Sequence, residues 1–311
     1  MILDKYRIDK FSLFKLIIPF TISFFLIYYS LKDFKIEIFI SSILNANLVF
    51  IFLSMALLVF TIQIRAIRWK FILNKNIELN SLYVAQLIGY MGNNILPLRF
   101  GEFLKSYYIE KKSQVPKFEV FGSVILERFL DFSAIGFLII LLGQTTWISK
   151  IDFLYKNIIL GVLVLSIVLI LIAYYINKDL INKFLKNVPN FIKEIFNGFS
   201  NINSGNVIIL FFSTLFIWIN YIVVVYLVQY SFELGLSISQ CVLLLLISTA
   251  MLSIPALPGN IGTFEASVVY TLTMYGITDD FGFGFILHSV SFIPYTLLGL
   301  FYFVKERRFI I

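Results

Sequence analysis

This sequence of 311 residues contains one cysteine, Cys241, and one histidine, His288. A single cysteine excludes an internal disulfide, and one residue of each type leaves too few ligands for a Cys/His metal site. Phosphatase chemistry based on paired histidines is excluded for the same reason. The chain also has no glycine-rich nucleotide loop, so we expect no cofactor, no metal and no ATP-driven action by this chain alone.

Charged residues are also scarce, at 14% of the chain, whereas 59% of the residues are hydrophobic. Soluble domains carry roughly a quarter charged residues and under half apolar ones. The composition therefore predicts an all-α polytopic membrane protein. The net charge of +7 comes from basic residues in short clusters between apolar runs, which is the orientation signal of membrane proteins. We therefore expect membrane lipids, and not nucleic acid, as partners.

Apolar runs long enough to cross a bilayer, about 20 residues each, occur in two similar halves of the chain. The first half, residues 1–150, is predicted to contain spans 1 and 2, a dip near 81–108 and a span at 119–143. The second half, residues 151–311, is predicted to contain spans at 157–177 and 206–231, a dip near 240–277 and a span at 281–304. This gives about six full spans. Each dip is either a re-entrant hairpin or a closely paired set of helices.

The distribution of lysine and arginine predicts that both termini are cytoplasmic. With the N-terminus inside, 19 basic residues fall on the inner side and four on the outer side. This assignment places Arg65 and Arg68 in a cytoplasmic anchor, RAIRWK, after the second helix, and Lys105 in a cytoplasmic stretch before the next span. Arg99 and Arg128 remain at membrane depth.

Two related segments mark the dips: PLRFGEF, which starts at Pro97, and PGNIGTFE, which starts at Pro258 followed by Gly259. In each segment a glycine, Gly101 or Gly262, follows the proline by four residues. The prolines are 161 residues apart (258 minus 97), about half the chain. Because the first half makes three crossings, the second half is predicted to be upside down relative to the first. Broken segments at matching places in two inverted halves are typical of alternating-access transporters.

Six ionisable residues are predicted at membrane depth: Arg99, Glu102, Glu127, Arg128, Asp131 and Glu265. On insertion scales such groups cost about 2.5–3.5 kcal/mol each at the membrane centre, or ~15 kcal/mol together. They must therefore face one another or water. Glu127, Arg128 and Asp131, in the segment ERFLD, lie on one helix face, which we expect to point at Arg99 and Glu102.

Broken backbone at membrane depth persists only where it is buried in protein or lines a wet cavity. Pro97 and Gly101 are expected to break the first dip, and a half-helix starting beyond the break would direct free N–H groups into that cavity. Arg99 adds a planar guanidinium that suits phosphate or carboxylate. Glu265 would add a carboxylate from the second dip, with Asn260 as a neutral polar partner. The alternative is a structural ion-pair cluster that locks the helices together.

Three segments in this order, NNILPLRFGEFLKSYY, SVILERFLD and PALPGNIGTFEAS, resemble the lysylphosphatidylglycerol synthase transmembrane family, also called flippase-like or UPF0104 proteins. The resemblance places Asn94, Pro97, Arg99, Gly101 and Glu102 on the first motif, Glu127, Arg128 and Asp131 on the second, and Pro258, Gly259, Gly262 and Glu265 on the third. The chain departs from the pattern at Lys105, where relatives often have arginine, and at Asn260, where a second glycine is common. We expect no soluble synthase domain.

The resemblance implies a prokaryotic inner-membrane translocator. Its cargo would be an anionic or modified phospholipid, or a polyprenyl-phosphate-linked headgroup. The expected headgroup-binding residues are Asn94, Arg99, Glu102, Glu127, Arg128, Asp131, Asn260 and Glu265. Two alternatives stay open: a membrane-embedded lipid-modifying enzyme (a glycosyltransferase or a member of an aminoacyl-lipid pathway) and a secondary transporter of a small anion. A separate lipid-modifying enzyme and a second copy of the chain also stay open as partners.

Overall fold

The computed structural model describes residues 35–96, 99–142, 188–199, 204–252, 257–277 and 281–309, together with Thr21, Phe24, Phe25 and Tyr28. Regular structure in these residues is helical throughout, as the composition predicts. The helices are α1 (Ile36–Asn45), α2 (Leu48–Leu73), α3 (Leu79–Ile95), α4 (Gly101–Ser113), α5 (Lys117–Leu142), α6 (Asn190–Phe199), α7 (Val207–Ser231), α8 (Ile238–Leu252), α9 (Thr263–Met274) and α10 (Phe281–Lys305).

Among the described helices, α2, α7 and α10 are long and apolar enough to cross a membrane. Helix α5 has 26 residues, as many as α2, but it carries the ERFLD charges. The predicted spans at 119–143, 206–231 and 281–304 coincide closely with α5, α7 and α10. The predicted span at 157–177, most of the first span and Pro97 lie outside the described residues.

Helices α2 and α7 pack antiparallel along their lengths. Beside the start of α2, the Asn47 backbone N–H donates to the Ser231 carbonyl at the end of α7, at 3.0 Å. Near the other end of α2, Asn206 Nδ2 donates to the Phe71 carbonyl at 3.3 Å, just before α7 begins. The last turns of α2 therefore lie inside the helical assembly, beside the first turns of α7.

Helices α3 and α4 form a hairpin where the sequence predicts the first dip. Their 17 and 13 residues correspond to about 25 and 20 Å of helix, less than the ~30 Å hydrocarbon core. The two helices approach closely because Gly101 has no side chain: a Cβ there would lie 1.9 Å from the Gly89 carbonyl oxygen. Arg99, between the helices, has φ +56°, a left-handed conformation that residues other than glycine rarely adopt.

Helices α8 and α9 form a second hairpin where the sequence predicts the second dip. They have 15 and 12 residues, and the chain between them includes a 3₁₀ turn at Pro258–Asn260. Gly259 and Gly262 have φ +70° and +89°, values that glycine adopts without steric cost. Asn260 has φ +57° and lies 161 residues after Arg99 (260 minus 99).

The tips of the two hairpins meet. Arg99 Nη1, at the first tip, donates to the Leu252 carbonyl at the end of α8, at 3.3 Å. Gly259, at the second tip, packs so closely on α3 that a Cβ there would lie 3.1 Å from the Asn94 carbonyl oxygen. Helix α10 joins this contact, because Asn94 Nδ2 donates to Thr296 Oγ1 at 2.8 Å. Both tips and α10 thus frame one space.

Candidate binding site between the hairpin tips

A buried ion-pair cluster lies between α2, α4 and α5, centred on Asp131. The Asp131 carboxylate accepts hydrogen bonds from Arg68 Nη1 at 2.8 Å and from both terminal nitrogens of Arg65 at 3.3 Å. Arg128 Nη1, one turn earlier on α5, lies 3.5 Å from the same carboxylate. Three guanidinium groups therefore share one carboxylate, and Arg68 is fully buried among them.

Glu102 and Glu127 hold Lys105, the remaining cation of the cluster, and also contact Arg128 and Arg68. Lys105 Nζ lies 2.9 Å from Glu127 Oε2 and 3.3 Å from Glu102 Oε2. Arg128 Nη2 forms an ion pair with Glu102 Oε1, and Arg68 Nη2 lies 3.6 Å from Glu127 Oε1. Each glutamate thus bridges two cations, so that the charges of the cluster largely compensate one another.

The cluster lies well inside its helices. Asp131 is 14 residues after Lys117, the first residue of α5, which places it ~21 Å along the helix axis. Arg65 is 17 residues after Leu48, the first residue of α2, or ~25 Å along that axis. Ionised groups buried inside a helical assembly are stable only when they pair with one another, and these groups do so.

Arg65, Arg68 and Lys105 are the cluster residues that the sequence argument missed. The charge distribution predicted them in cytoplasmic segments, but their exposed fractions are 5%, 0% and 2%. The sequence argument overlooked the burial of Arg65 and Arg68, because α2 continues to Leu73, eight residues beyond Arg65. The three-residue spacing of the two arginines was a usable signal, since it places both on one face of a continuing helix.

A cavity of about 290 Å³ lies beside the cluster, between the hairpin tips. Its lining includes Arg65, Asn93, Asn94, Arg99, Arg128 and Asp131 from the first half of the chain and Trp218, Tyr221, Asn260, His288 and Tyr295 from the second half. Small-molecule sites typically have roughly 300–1,000 Å³, mostly apolar walls and a few convergent polar groups. This cavity lies at the lower end of that size range and has the expected mixture of walls.

Arg99 is the least engaged cation on the cavity wall. Within the described part of the chain its guanidinium makes one hydrogen bond, to the Leu252 carbonyl at 3.3 Å, and no ion pair. Arg128 also lines the cavity, but Glu102 and Asp131 hold it. Arg99 has a left-handed backbone, and backbone strain of this kind clusters at functional sites. Arg99 is therefore the cation available to a ligand.

The opposite wall of the cavity carries a pair between His288 and Glu265. His288 Nδ1 lies 2.6 Å from Glu265 Oε1, and the His288 ring stacks on Phe264. The Gly262 backbone N–H donates to Glu265 Oε2 at 2.7 Å, which satisfies one of the free N–H groups at the start of α9. His288 lines the cavity, whereas Glu265 lies behind it. Glu265 thus positions His288 and the start of α9.

The structure divides the predicted site residues that it describes into three sets. Those that line the cavity are Asn94, Arg99, Arg128, Asp131, Gly259 and Asn260. Those that lie behind the cavity wall and hold a lining or neighbouring group are Glu102, Glu127 and Glu265. Gly101, Pro258 and Gly262 shape the two tips. The predicted carboxylates therefore line the cavity (Asp131) or lie close behind its wall, and all of them are already paired.

These features define a helical membrane protein in which two helical hairpins meet at a buried polar centre. The sequence model of the family described as "Lysylphosphatidylglycerol synthase TM region" matches residues 16–299. The match covers most of the chain, which therefore belongs to this family. No solved structure matches the chain.

Several UPF0104 membrane proteins are similar to this chain over much of their length. One from Methanocaldococcus jannaschii is 24% identical over 93% of this chain and 94% of that protein. One from Methanothermobacter thermautotrophicus is 21% identical over 75% of this chain and 74% of that protein. Another from M. jannaschii is 24% identical over 70% of this chain and 94% of that protein. Their names give a membrane location and no activity.

Proposed function

We propose that this protein is a flippase-like translocator of the prokaryotic inner membrane. Its cargo would be an anionic or modified phospholipid, or a polyprenyl-phosphate-linked headgroup, that crosses through the central cavity while the lipid tails stay in the bilayer. The observation that carries this proposal is the pair of arginines, Arg99 and Arg128, on the wall of a cavity between two hairpin tips. Guanidinium groups bind phosphate bidentately, and polar groups in membrane interiors mark substrate pathways.

An inverted repeat would provide alternating access, and the order of the helices supports one. Helices α2 to α5 have 26, 17, 13 and 26 residues, and α7 to α10 have 25, 15, 12 and 25. Corresponding helices start 159 (207 minus 48), 159 (238 minus 79), 162 (263 minus 101) and 164 (281 minus 117) residues apart. The corresponding helices α2 and α7 run antiparallel, as inversion requires. On this basis the chain has six full spans and two hairpins.

The two hairpin tips support the same repeat. Arg99 and Asn260, 161 residues apart, adopt nearly the same left-handed φ. Behind each tip, a glutamate in the first turn of the second hairpin helix pairs with a basic residue on the next long helix: Glu102 with Arg128, and Glu265 with His288. The repeat therefore extends from helix order to individual contacts.

The grouping of basic helix ends supports cytoplasmic termini. Without Arg65, Arg68 and Lys105, 16 of the predicted inner basic residues (19 minus 3) remain against four outside. Lys112 at the end of α4 pairs with Glu306 after α10, at 2.8 Å. These ends therefore lie on one side, together with the basic C-terminal residues, which the positive-inside rule places in the cytoplasm.

Transport in vesicles tests the proposal. The purified full chain is reconstituted with a fluorescent phosphatidylglycerol, and the rate at which the headgroup becomes accessible from the other side is measured. Arg99→Ala should slow crossing by at least about tenfold, because charged hydrogen bonds to phosphate are lost. Lys111→Ala, at the exposed end of α4, is the matched control and should leave the rate unchanged. An unchanged rate in well-folded Arg99→Ala protein would contradict the proposed role.

A further inference from the structure

The charges and free polar atoms around the cavity indicate what kind of headgroup fits it. We infer that the ligand is a phosphate-bearing headgroup with net negative charge whose remaining polar part is uncharged and carries hydroxyl groups. Headgroups that carry an ammonium group, such as aminoacylated or ethanolamine lipids, do not fit this site. The inference rests on the proposed function and narrows its substrate class.

The polar network at the cavity has an excess of positive charge. Its described cations are Arg65, Arg68, Arg99, Lys105 and Arg128, and its described carboxylates are Glu102, Glu127, Asp131 and Glu265. Five cations against four carboxylates leave one positive charge, and Arg99 is the cation without an ion pair within the described residues. A ligand with a net negative charge compensates this excess by direct attraction.

The carboxylates of this network are already paired with basic side chains. Asp131 holds three arginines. Glu127 holds Arg68 and Lys105, Glu102 holds Lys105 and Arg128, and Glu265 holds His288 and the Gly262 N–H. An ammonium group entering the cavity would therefore meet arginines and find no free carboxylate within the described residues. Like charges at short distance repel each other, more strongly away from water. The same arrangement favours phosphate.

A buried neutral donor without a partner belongs to a residue of the cavity lining. Trp218 Nε1 has no hydrogen-bond partner among the described residues, and Trp218, which is 3% exposed, lines the cavity. A buried polar group left unpaired costs about 1–3 kcal/mol. A ligand hydroxyl group that accepts a hydrogen bond from Trp218 Nε1 would remove this cost.

The cavity, of about 290 Å³, accommodates a phosphate with one small polyol. The aromatic rings of Tyr90, Tyr221 and Tyr295, which also line the cavity, give such a polyol an amphipathic surface to contact.

A set of lipids with identical acyl chains tests the inference in vesicles that contain the full chain. Phosphatidylglycerol should cross at least about tenfold faster than lysyl-phosphatidylglycerol or phosphatidylethanolamine, because only the last two carry an ammonium group. Equal or faster crossing of either ammonium lipid would overturn the inference while leaving lipid translocation intact. If none of the three crosses, the proposed function fails and the inference fails with it.

Soluble glycerol phosphate separates a lipid headgroup from a free phosphate ester of the same chemistry. Uptake of glycerol phosphate without crossing of any lipid would show that the site serves a small soluble anion, and the proposed lipid translocation would be wrong. Crossing of phosphatidylglycerol that excess glycerol phosphate slows would support a common site for the headgroup.

The variant Trp218→Phe tests the hydroxyl contact separately from charge. Phenylalanine keeps an aromatic ring and removes the N–H donor. Crossing of phosphatidylglycerol should fall about three- to tenfold, the effect of one hydrogen bond, whereas crossing of phosphatidic acid, which has no polyol, should not change. An equal fall for both lipids would assign Trp218 a packing role and overturn the hydroxyl contact. Thermal unfolding in detergent shows whether the variant is folded.

Discussion

The two hairpin tips have similar backbone conformations and differ in charge. At corresponding left-handed positions the first tip carries Arg99 and the second carries Asn260. The glutamate behind the first tip pairs with Arg128, whose charge is permanent, whereas the glutamate behind the second pairs with the imidazole of His288. The same shape thus supports a wall with arginines on one side of the cavity and a wall whose described lining has no arginine or lysine on the other.

This difference suits a site that must bind an anion and release it. Passage through a membrane site requires binding that is favourable enough for entry and weak enough for exit. Two arginine-bearing tips facing each other would hold a phosphate from both sides. If the proposed phosphate headgroup is the ligand, Asn260 on the second wall leaves its charged contacts on one side only, and release into the opposite compartment would meet a smaller barrier.

The largest expected effect comes from removing Asp131, the carboxylate at the centre of the ion-pair cluster. Asp131→Ala leaves Arg65, Arg68 and Arg128 without their shared carboxylate. Breaking a buried ion pair by removing one partner costs about 3–5 kcal/mol, so little folded protein should be recovered. Thermal unfolding and size-exclusion profiles in detergent measure this loss.

Glu37→Ala provides the matched control for Asp131→Ala. Glu37 is an exposed carboxylate in the first turn of α1, and surface substitutions usually change stability by less than about 0.5 kcal/mol. Similar melting temperatures for the two variants would show that the three arginines do not depend on Asp131. In that case the ion-pair cluster would not be the feature that stabilises the protein around Asp131.

A medium effect is expected at the glycines of the two tips, and it should be larger at the first tip. A Cβ on Gly101 would lie 1.9 Å from a backbone oxygen, whereas a Cβ on Gly259 would lie 2.5 Å from the edge of the Phe292 ring. Overpacking typically costs about 1–3 kcal/mol, and a left-handed alanine costs roughly 1–2 kcal/mol. Because backbone yields less than a side chain, Gly101→Ala should destabilise more than Gly259→Ala in unfolding measurements. The opposite order would contradict the close packing of the first tip.

The positions of the tips could be predicted from the sequence, because proline and glycine interrupt helices wherever they occur in an apolar run. The pairing within ERFLD also follows from helical spacing, which brings Arg128 next to Asp131. The contact between Arg99 and the Leu252 carbonyl could not be predicted, since it joins positions 153 residues apart and depends on how the two hairpins pack.

The end of α2 shows why the burial of two arginines was missed. Basic residues after an apolar run indicate a cytoplasmic loop, and RAIRWK has that composition. The helix instead ends at Leu73, and Asn74 follows with a left-handed backbone, a common helix C-terminal signal. The positive-inside pattern indicated a loop at Arg65, whereas the capping signal at Asn74 indicated that the helix continues. The carboxylates of α5 that pair with Arg65 and Arg68 decide between the two interpretations. Similarly, Trp218 and His288 lie in apolar spans whose sequences do not show which side chains face a cavity.

The smallest expected effect on stability comes from making the tips alike with Arg99→Asn. Asparagine adopts left-handed backbone more readily than arginine, and the one hydrogen bond that Arg99 makes within the described residues is long, at 3.3 Å. The free energy of unfolding should therefore change by less than about 1 kcal/mol, and toward greater stability. Headgroup crossing should nevertheless fall as far as in Arg99→Ala, because the available cation is gone. Arg99→Lys, which keeps the charge without the planar guanidinium, should retain part of the rate.

A loss of stability of about 2 kcal/mol or more in Arg99→Asn would make Arg99 a structural link between the hairpins. A stable Arg99→Asn variant that no longer transports would instead show that the charge difference between the tips serves the ligand.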